Sequence, residues 1–260
     1  MKITVFTSNQ PRHLALISKL AGLADSVHAV IESNTVFPGH VADFFKKSDV
    51  MQRYLSHVMA AEGEIFGGLR FLPSNVSTMS LKLGDLSMLA RAQLQEALNS
   101  DVYVVFGSSF IRGWLADELV SKKAINIHMG LSPYYRGSSC NFWALYDRRP
   151  AFVGATIHYL STGLDSGPIL AHVRPEFSGQ GPFSFTMESV NAVQNRLVAE
   201  LSGGTLLTLA GVPQDKNLEL RYSKNADFDD DTASFSLANL MTANELGDLL
   251  DASDEPADLL

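Results

Sequence analysis

The chain has 260 residues, of which 46% are hydrophobic and 18% charged; this composition excludes disorder throughout and suits one large domain, or a domain of about 200 residues with a small appendage. The net charge of −8 is uneven: residues 225–260 hold ten Asp or Glu and no Lys or Arg, leaving 18 acids against 20 bases elsewhere, so neither part offers the basic face of a nucleic-acid binder. The single cysteine, Cys140, excludes an intramolecular disulfide, and no apolar stretch reaches 18 residues, so a protein of a reducing, cytoplasmic compartment without a membrane span is expected.

The opening "KITVFTSN" reads as a strand and turn, and "PRHLALISKLAGLA" as a helix. Pro11 suits a first helical turn, and Leu14, Ile17 and Leu20 or Ala21 form its apolar stripe. With "SVHAVIES" (26–33) as a second strand, this order implies a parallel pair joined by a right-handed crossover. Residues 34–83, punctuated by Gly and Pro, give no clear assignment. The spacing of Leu86, Ala90, Leu94 and Leu98 predicts a helix over 84–100, with Asp85 as its N-cap. "DVYVVFGSSF" is continuously apolar, as a strand covered on both faces should be. After a helical turn at "IRGWLADELVSKK" come strand-like "AINIH", "VGATIHYL" (153–160) and "GPILAHVRPEF" (167–177), then a helix over about 184–210. The pattern is α/β with a mostly parallel central sheet.

The strand "AINIH" breaks the apolar rule. Alternation turns Ile125 and Ile127 to one face and Asn126 and His128 to the other, near the carboxyl end of the strand. Ligand crevices of open α/β sheets form at such ends. A loop with Pro133, Tyr135, Arg136 and Gly137 follows. Farther on, "STGLDSGPI" (161–169) is a tight connection, and Asp165 is the only acid between Asp147 and Glu176. An amide, an imidazole and a carboxylate at strand ends form a candidate catalytic trio. Metal-ligand spacings are absent.

"NIHMGLSPYYRGSSCNFWALY" followed by "GATIHYLSTGLDSGPIL" resembles the core of the folate-dependent formyltransferase family: Asn-x-His, a Leu-x-Pro-x-Tyr-Arg-Gly loop, Gly-x-Thr-Ile-His and Leu-Asp-x-Gly-x-Ile, in that order. The resemblance covers roughly residues 1–210. It implies a Rossmann-like formyltransferase domain over 1–210, with a short extension and acidic tail over 211–260. It implies N10-formyltetrahydrofolate as co-substrate and Asn126, His128 and Asp165 as the catalytic trio. The loop "FGSSFIRG" lies where the family holds the pterin and formyl end, which points to Gly107, Ser108, Ser109, Phe110 and Ile111. Asn126 and a His128 N–H would donate to the oxyanion that develops as an amine attacks the formyl carbon, and a preorganised donor of this kind is worth about 3 kcal/mol. His128 is also in the pKa range to take the amine proton, directly or through water, with Asp165 orienting the ring or relaying the proton.

The family divides by acceptor. The acidic tail and the absence of a further β-barrel speak against tRNA, and the glycine-free turn "TSNQPRHL" against the purine-pathway acceptor. The resemblance is to the sugar N-formyltransferase branch, whose acceptor is a nucleotide-linked amino sugar; it implies a GDP-linked 4-amino-4,6-dideoxy sugar, GDP-perosamine, of O-antigen and lipopolysaccharide synthesis. For acceptor contacts, Ser8, Asn9, Gln10 and His13 follow the first strand, where a helix N-terminus favours phosphate; an ordinary helix cap is the alternative. Tyr135 and Arg136 would rim the acceptor site, unless Arg136 braces the loop against Asp165 or a carbonyl. Lys46, Lys47 and Arg53 would reach a diphosphate or form a solvated helix face. Cys140, Trp143 and His158 read as packing or structural residues. The leucines of "FSLANLMTANELGDLL" suit an amphipathic element, either for a homodimer or folded back on the core.

Overall fold

The structure is a computed structural model and describes residues 1–38, 40 and 48–253. β1 (Lys2–Thr7) leads into α1 (Pro11–Ala21), and β2 (Ser26–Ser33) follows. α2 spans Asp49–Phe66; the hydroxyl of Ser48 accepts from Met51 N–H as its N-cap, and Gly67 (φ +71°) ends it. This long helix has no counterpart in the sequence reading. β3 (Val76–Lys82), β4 (Val102–Phe106), α3 (Trp114–Ser121), β5 (Ile125–His128), β6 (Tyr135–Gly137) and α4 (Cys140–Tyr146) come next. β7 (Ala155–Tyr159), β8 (Ile169–Val173) and α5 (Pro182–Gly203) complete the region matched by the family-like motifs. Beyond residue 210 lie β9 (Arg221–Ser223), α6 (Asp230–Ala238) and α7 (Ala243–Asp251).

Seven strands form one sheet in the order β3-β2-β1-β4-β5-β7-β8. The first five run parallel, β7 runs antiparallel to β5, and β8 antiparallel to β7. This is the mostly parallel α/β fold expected from the continuous apolar strands. Its core has two faces. Ile3, Val5, Val27, Ala29 and Val104 pack under α1 and α5, while Phe6, Val30, Tyr103 and Val105 pack under α3 and the 86–98 segment. Strand alternation assigns each residue to its face.

The helix expected over 84–100 is not formed. Two short 3₁₀ turns, Leu86–Met88 and Arg91–Leu94, are separated by extended Leu89 and Ala90. Leu86, Leu94 and Leu98 are buried as the stripe required, but Ala90 is exposed and the Asp85 side chain caps nothing. Three leucines can reach the same sheet face from separate turns, so tertiary packing overrides the helical spacing.

The chain order reverses between β1 and β4, and the carboxyl ends of these strands open a crevice there. The segment after residue 210 folds back on the main body. Val212 bridges Ile169 at the β8 edge, β9 pairs with β6, and Ala233, Met241 and Leu246 are buried against it.

Candidate active site

A cleft of about 830 Å³ lies at the carboxyl ends of the parallel strands. The trio Asn126, His128 and Asp165 lines it together with Gly107 to Ile111, Ser8, Gln10 and His13. Asn126 and His128 do share one face of β5, and that face is walled by the loop holding Asp165.

His128 is buried, with both ring nitrogens engaged: Nδ1 lies 3.3 Å from Asp165 Oδ2 and Nε2 lies 3.3 Å from the Tyr135 carbonyl oxygen. The Cys140 Sγ is 3.5 Å from Nε2. Burial alone would lower the pKa of this imidazole; the adjacent Asp165 carboxylate and Cys140 together outweigh it and hold the pKa well above the usual histidine value. Asp165 moves the opposite way: burial raises its pKa, but the charge and hydrogen bond of His128, with smaller help from His158 and Arg136, lower it by more, and the net direction is down. The resting pair is thus an imidazolium and a carboxylate, with the imidazolium donating both N–H groups. Asp165 stands in the left-handed region at φ +45°, a conformation an Asp tolerates better than most side chains.

Asn126 Nδ2 donates to His158 Nε2 at 2.9 Å and lies 3.4 Å from Asp165 Oδ1. His158 Nδ1–H donates to the Tyr159 carbonyl at 2.7 Å, which leaves its Nε2 as an acceptor for the amide. Burial pushes the His158 pKa down to about 4, so it stays neutral. It is therefore more than a packing residue: it orients Asn126. The antiparallel pairing of β5 with β7 sets Asn126 directly opposite His158.

Two further supports come from far along the chain. Gln214 Nε2 donates to the carbonyls of Asp165 and Gly167, both at 2.8 Å. Arg136 donates to the Leu164 carbonyl at 3.1 Å and pairs with Glu219 at 2.9 Å. Arg136 thus braces the Asp165 loop, the second of its two sequence readings. Tyr135 does not rim the cleft. Its ring is only 2% exposed, packs against Phe152, and its hydroxyl donates to Asp147 at 3.1 Å; only its carbonyl meets the trio.

The expected acceptor contacts divide. Asn9 does not line the cleft, because its amide is paired twice with the Asn34 backbone. Ser8 lines it, with its hydroxyl on the Glu32 carbonyl at 3.0 Å. Gln10 occupies the N-cap position of α1 without a side-chain capping bond. His13 is buried; burial, then the neighbouring Arg12 charge, holds its pKa well below the usual value, and its Nδ1 has no partner. The phosphate seat expected at the α1 N-terminus is partly filled from within: the buried Glu62 carboxylate accepts from Arg12 N–H at 3.1 Å and from the Arg12 guanidinium at 2.8 Å. An internal anion there opposes a second one. Lys46 and Lys47 lie outside the described residues, and Arg53 is on the exposed side of α2.

Residues 107–111, expected to hold the co-substrate, line the cleft. Gly107, at φ +71°, has no Cβ; one built there would come within 2.3 Å of His13 Nε2. Phe110 is half-exposed over the cleft and Ile111 is buried beneath it. The donors of Ser109 are already taken, by Glu32.

Residues 76–197 match the family described as formyl transferase. A methionyl-tRNA formyltransferase of Treponema pallidum is 33% identical over 121 residues, which is 46% of this chain and 38% of that protein; the chain thus spans well under half the length of the curated relatives it matches. Among solved structures, a 4-N formyltransferase from Francisella tularensis aligns over 87% of this chain and 77% of its own, at 16% identity and a TM-score of 0.53. The formyltransferase PseJ from Anoxybacillus kamchatkensis, in complex with UDP-4,6-dideoxy-4-formamido-L-AltNAc and tetrahydrofolate, aligns over 95% of this chain and 97% of its own, at 16% identity and a TM-score of 0.50. Residues 76–197 thus match the formyl transferase family, and the chain shares its α/β fold with solved N-formyltransferases.

Proposed function

We propose that this protein transfers a formyl group from N10-formyltetrahydrofolate to the amino group of a nucleotide-linked amino sugar. The observation that carries the reading is the Asn126–His128–Asp165 trio, which lines the cleft at the carboxyl ends of the parallel strands together with the 107–111 loop. The finer acceptor is GDP-perosamine, with the product used in O-antigen and lipopolysaccharide synthesis in the cytoplasm. Residues 1–210 supply the chemistry and 211–260 support it. The solved formyltransferase PseJ, which holds UDP-4,6-dideoxy-4-formamido-L-AltNAc and shares the fold, supports the sugar branch. So does an apolar cavity of about 440 Å³ that shares Met129, Ser139 and Phe228 with the cleft; its aromatic walls, Tyr54, Phe142 and Phe228, suit a nucleobase.

In this reading the acceptor amine attacks the formyl carbon while Asn126 Nδ2–H and the His128 Nε2–H donate to the formyl oxygen. The 3.3 Å bond from His128 Nε2 to the Tyr135 carbonyl is long, so a substrate oxygen carrying negative charge would displace it. A resting imidazolium cannot take the amine proton. Asp165, 3.4 Å from Asn126 Nδ2, is the carboxylate placed to accept it, directly or through water; collapse of the tetrahedral intermediate then breaks the formyl C–N10 bond, and that proton passes to N10 of the departing tetrahydrofolate.

Mass spectrometry of GDP-perosamine incubated with N10-formyltetrahydrofolate and the protein should show a product heavier by one formyl group. Asn126→Ala and His128→Ala should each lower kcat by about a hundredfold or more with little change in Tm. Failure of every GDP-, TDP- and UDP-linked amino sugar would overturn the acceptor class. A second reading, transfer to methionyl-tRNA, is favoured by the 33% identity to the Treponema pallidum enzyme and is separated by assay with the charged tRNA.

A further inference from the structure

In a doubly wound sheet, an acid at the end of the second strand stands where a dinucleotide ribose would be bound. Glu32 occupies that place, next to last on β2, yet it is fully buried and turned inward. Its Oε1 accepts from Gly84 N–H at 2.8 Å, Leu86 N–H at 3.2 Å and the Ser109 hydroxyl at 2.9 Å; its Oε2 accepts from Ser109 N–H at 2.6 Å. One carboxylate thus ties together three segments distant in sequence: the end of β2, the turn after β3, and the loop after β4. Leu83 and Gly107 to Ile111 are the parts of the latter two that line the cleft, as Asn126 does.

We propose that Glu32 is a positioning residue for the co-substrate wall: its carboxylate fixes the 107–111 loop against the 83–86 turn at the height of Asn126. This rests on the formyl-transfer reading above. The chemistry favours a carboxylate over any neutral side chain. Four donors converge on it, and an ionised acceptor satisfies all four, each bond being stronger than its neutral counterpart. A glutamine of the same shape would present an NH₂ group to donors on one side, leaving a buried N–H of the loop unsatisfied. Because Glu32 does not contact the trio, its loss should act on co-substrate binding and leave the chemical step nearly intact.

The test compares Glu32→Gln with Ser109→Ala in the full chain, by steady-state kinetics with N10-formyltetrahydrofolate and by amide hydrogen exchange. Glu32→Gln should raise KM for the co-substrate by about tenfold or more with kcat changed less than about threefold. Exchange at Ser109, Gly84 and Leu86 should accelerate at least about tenfold while amides of β1 and α5 keep their protection. Ser109→Ala, which removes one bond of the four, should raise KM by about fivefold. A merely structural role would instead lower Tm or the active fraction, with KM and local exchange unmoved, and that result overturns the proposal. If Glu32→Gln does not fold, an unchanged KM in Ser109→Ala does the same. Should the wild-type protein transfer no formyl group, the formyl-transfer reading fails, and calorimetric titration of tetrahydrofolate with the exchange data still decides on Glu32: unaltered loop exchange in Glu32→Gln refutes it.

Discussion

In the proposed reaction Asn126 and His128 carry the chemistry, and their neighbours set its electrostatics. The Asp165 carboxylate raises the His128 pKa, so the imidazolium persists above the usual histidine range and disappears only as pH rises through the raised value. Asp165→Asn removes that charge. The alkaline limb of the kcat profile should move to lower pH in this variant, and a limb that stays in place would show that His128 does not need its proton. His158 gives a separate signature. Its folded-state pKa of about 4 lies below the unfolded value of 6.5, so the unfolded chain takes up the proton first and stability falls as pH drops from 6.5 to 4. The sum over that window is about 3 kcal/mol. Denaturant unfolding at both pH values should show His158→Gln losing less stability than wild type across the window by this order. His13 contributes in the same sense in both proteins and cancels in the comparison.

At the scale of elements, the site depends on a small sheet as much as on the large one. β6 and β9 pair in parallel, which brings Glu219 to Arg136, while the Val212–Ile169 bridge beside it brings Gln214 to the Asp165 loop. Gly137 is where the two strands approach most closely. At φ +89° it is in the region glycine favours, and a Cβ there would lie 2.0 Å from the Ser223 carbonyl oxygen. Gly137→Ala should force the strands apart, expose the Ser138 N–H bonded to that carbonyl, and lower kcat through the loosened Asp165 loop. Loss of exchange protection at Ser138 together with reduced kcat is the expected pair of results. Wild-type protection at Ser138 would contradict the close contact.

Across the whole molecule, residues beyond 210 complete a hydrophobic cluster of the main body. Leu246 on α7 is fully buried in the same cluster as Tyr135, Trp143, Phe152 and Phe185, away from the trio. Leu246→Ala should destabilise the protein by about 2–5 kcal/mol, the range for buried leucine truncations. Calorimetry should show a single lowered Tm, while kcat at permissive temperature stays at the wild-type level. Two separate transitions, with only one shifted, would mean that α7 folds independently of the catalytic region. No helix among the described residues is long and apolar enough to cross a membrane.

Much of this was legible in the residues themselves. Period-two alternation put Asn126 and His128 on one face. Continuous apolar runs gave a sheet covered on both sides, and the Asn-x-His and Leu-Asp-x-Gly motifs named the trio. These are local properties, fixed by backbone geometry within a few residues. The 84–100 segment shows the limit of such patterns, since its leucine spacing is satisfied equally by one helix or by two short turns, and the sheet face chose between them. Strand order and pairing decided the rest. They set His158 opposite Asn126, carried Gln214 and Glu219 to the Asp165 loop, filled the α1 N-terminus with Glu62, and turned Glu32 and Tyr135 inward. A side chain's partner 30 to 80 residues away depends on which elements become neighbours, and that is settled only when the whole core closes.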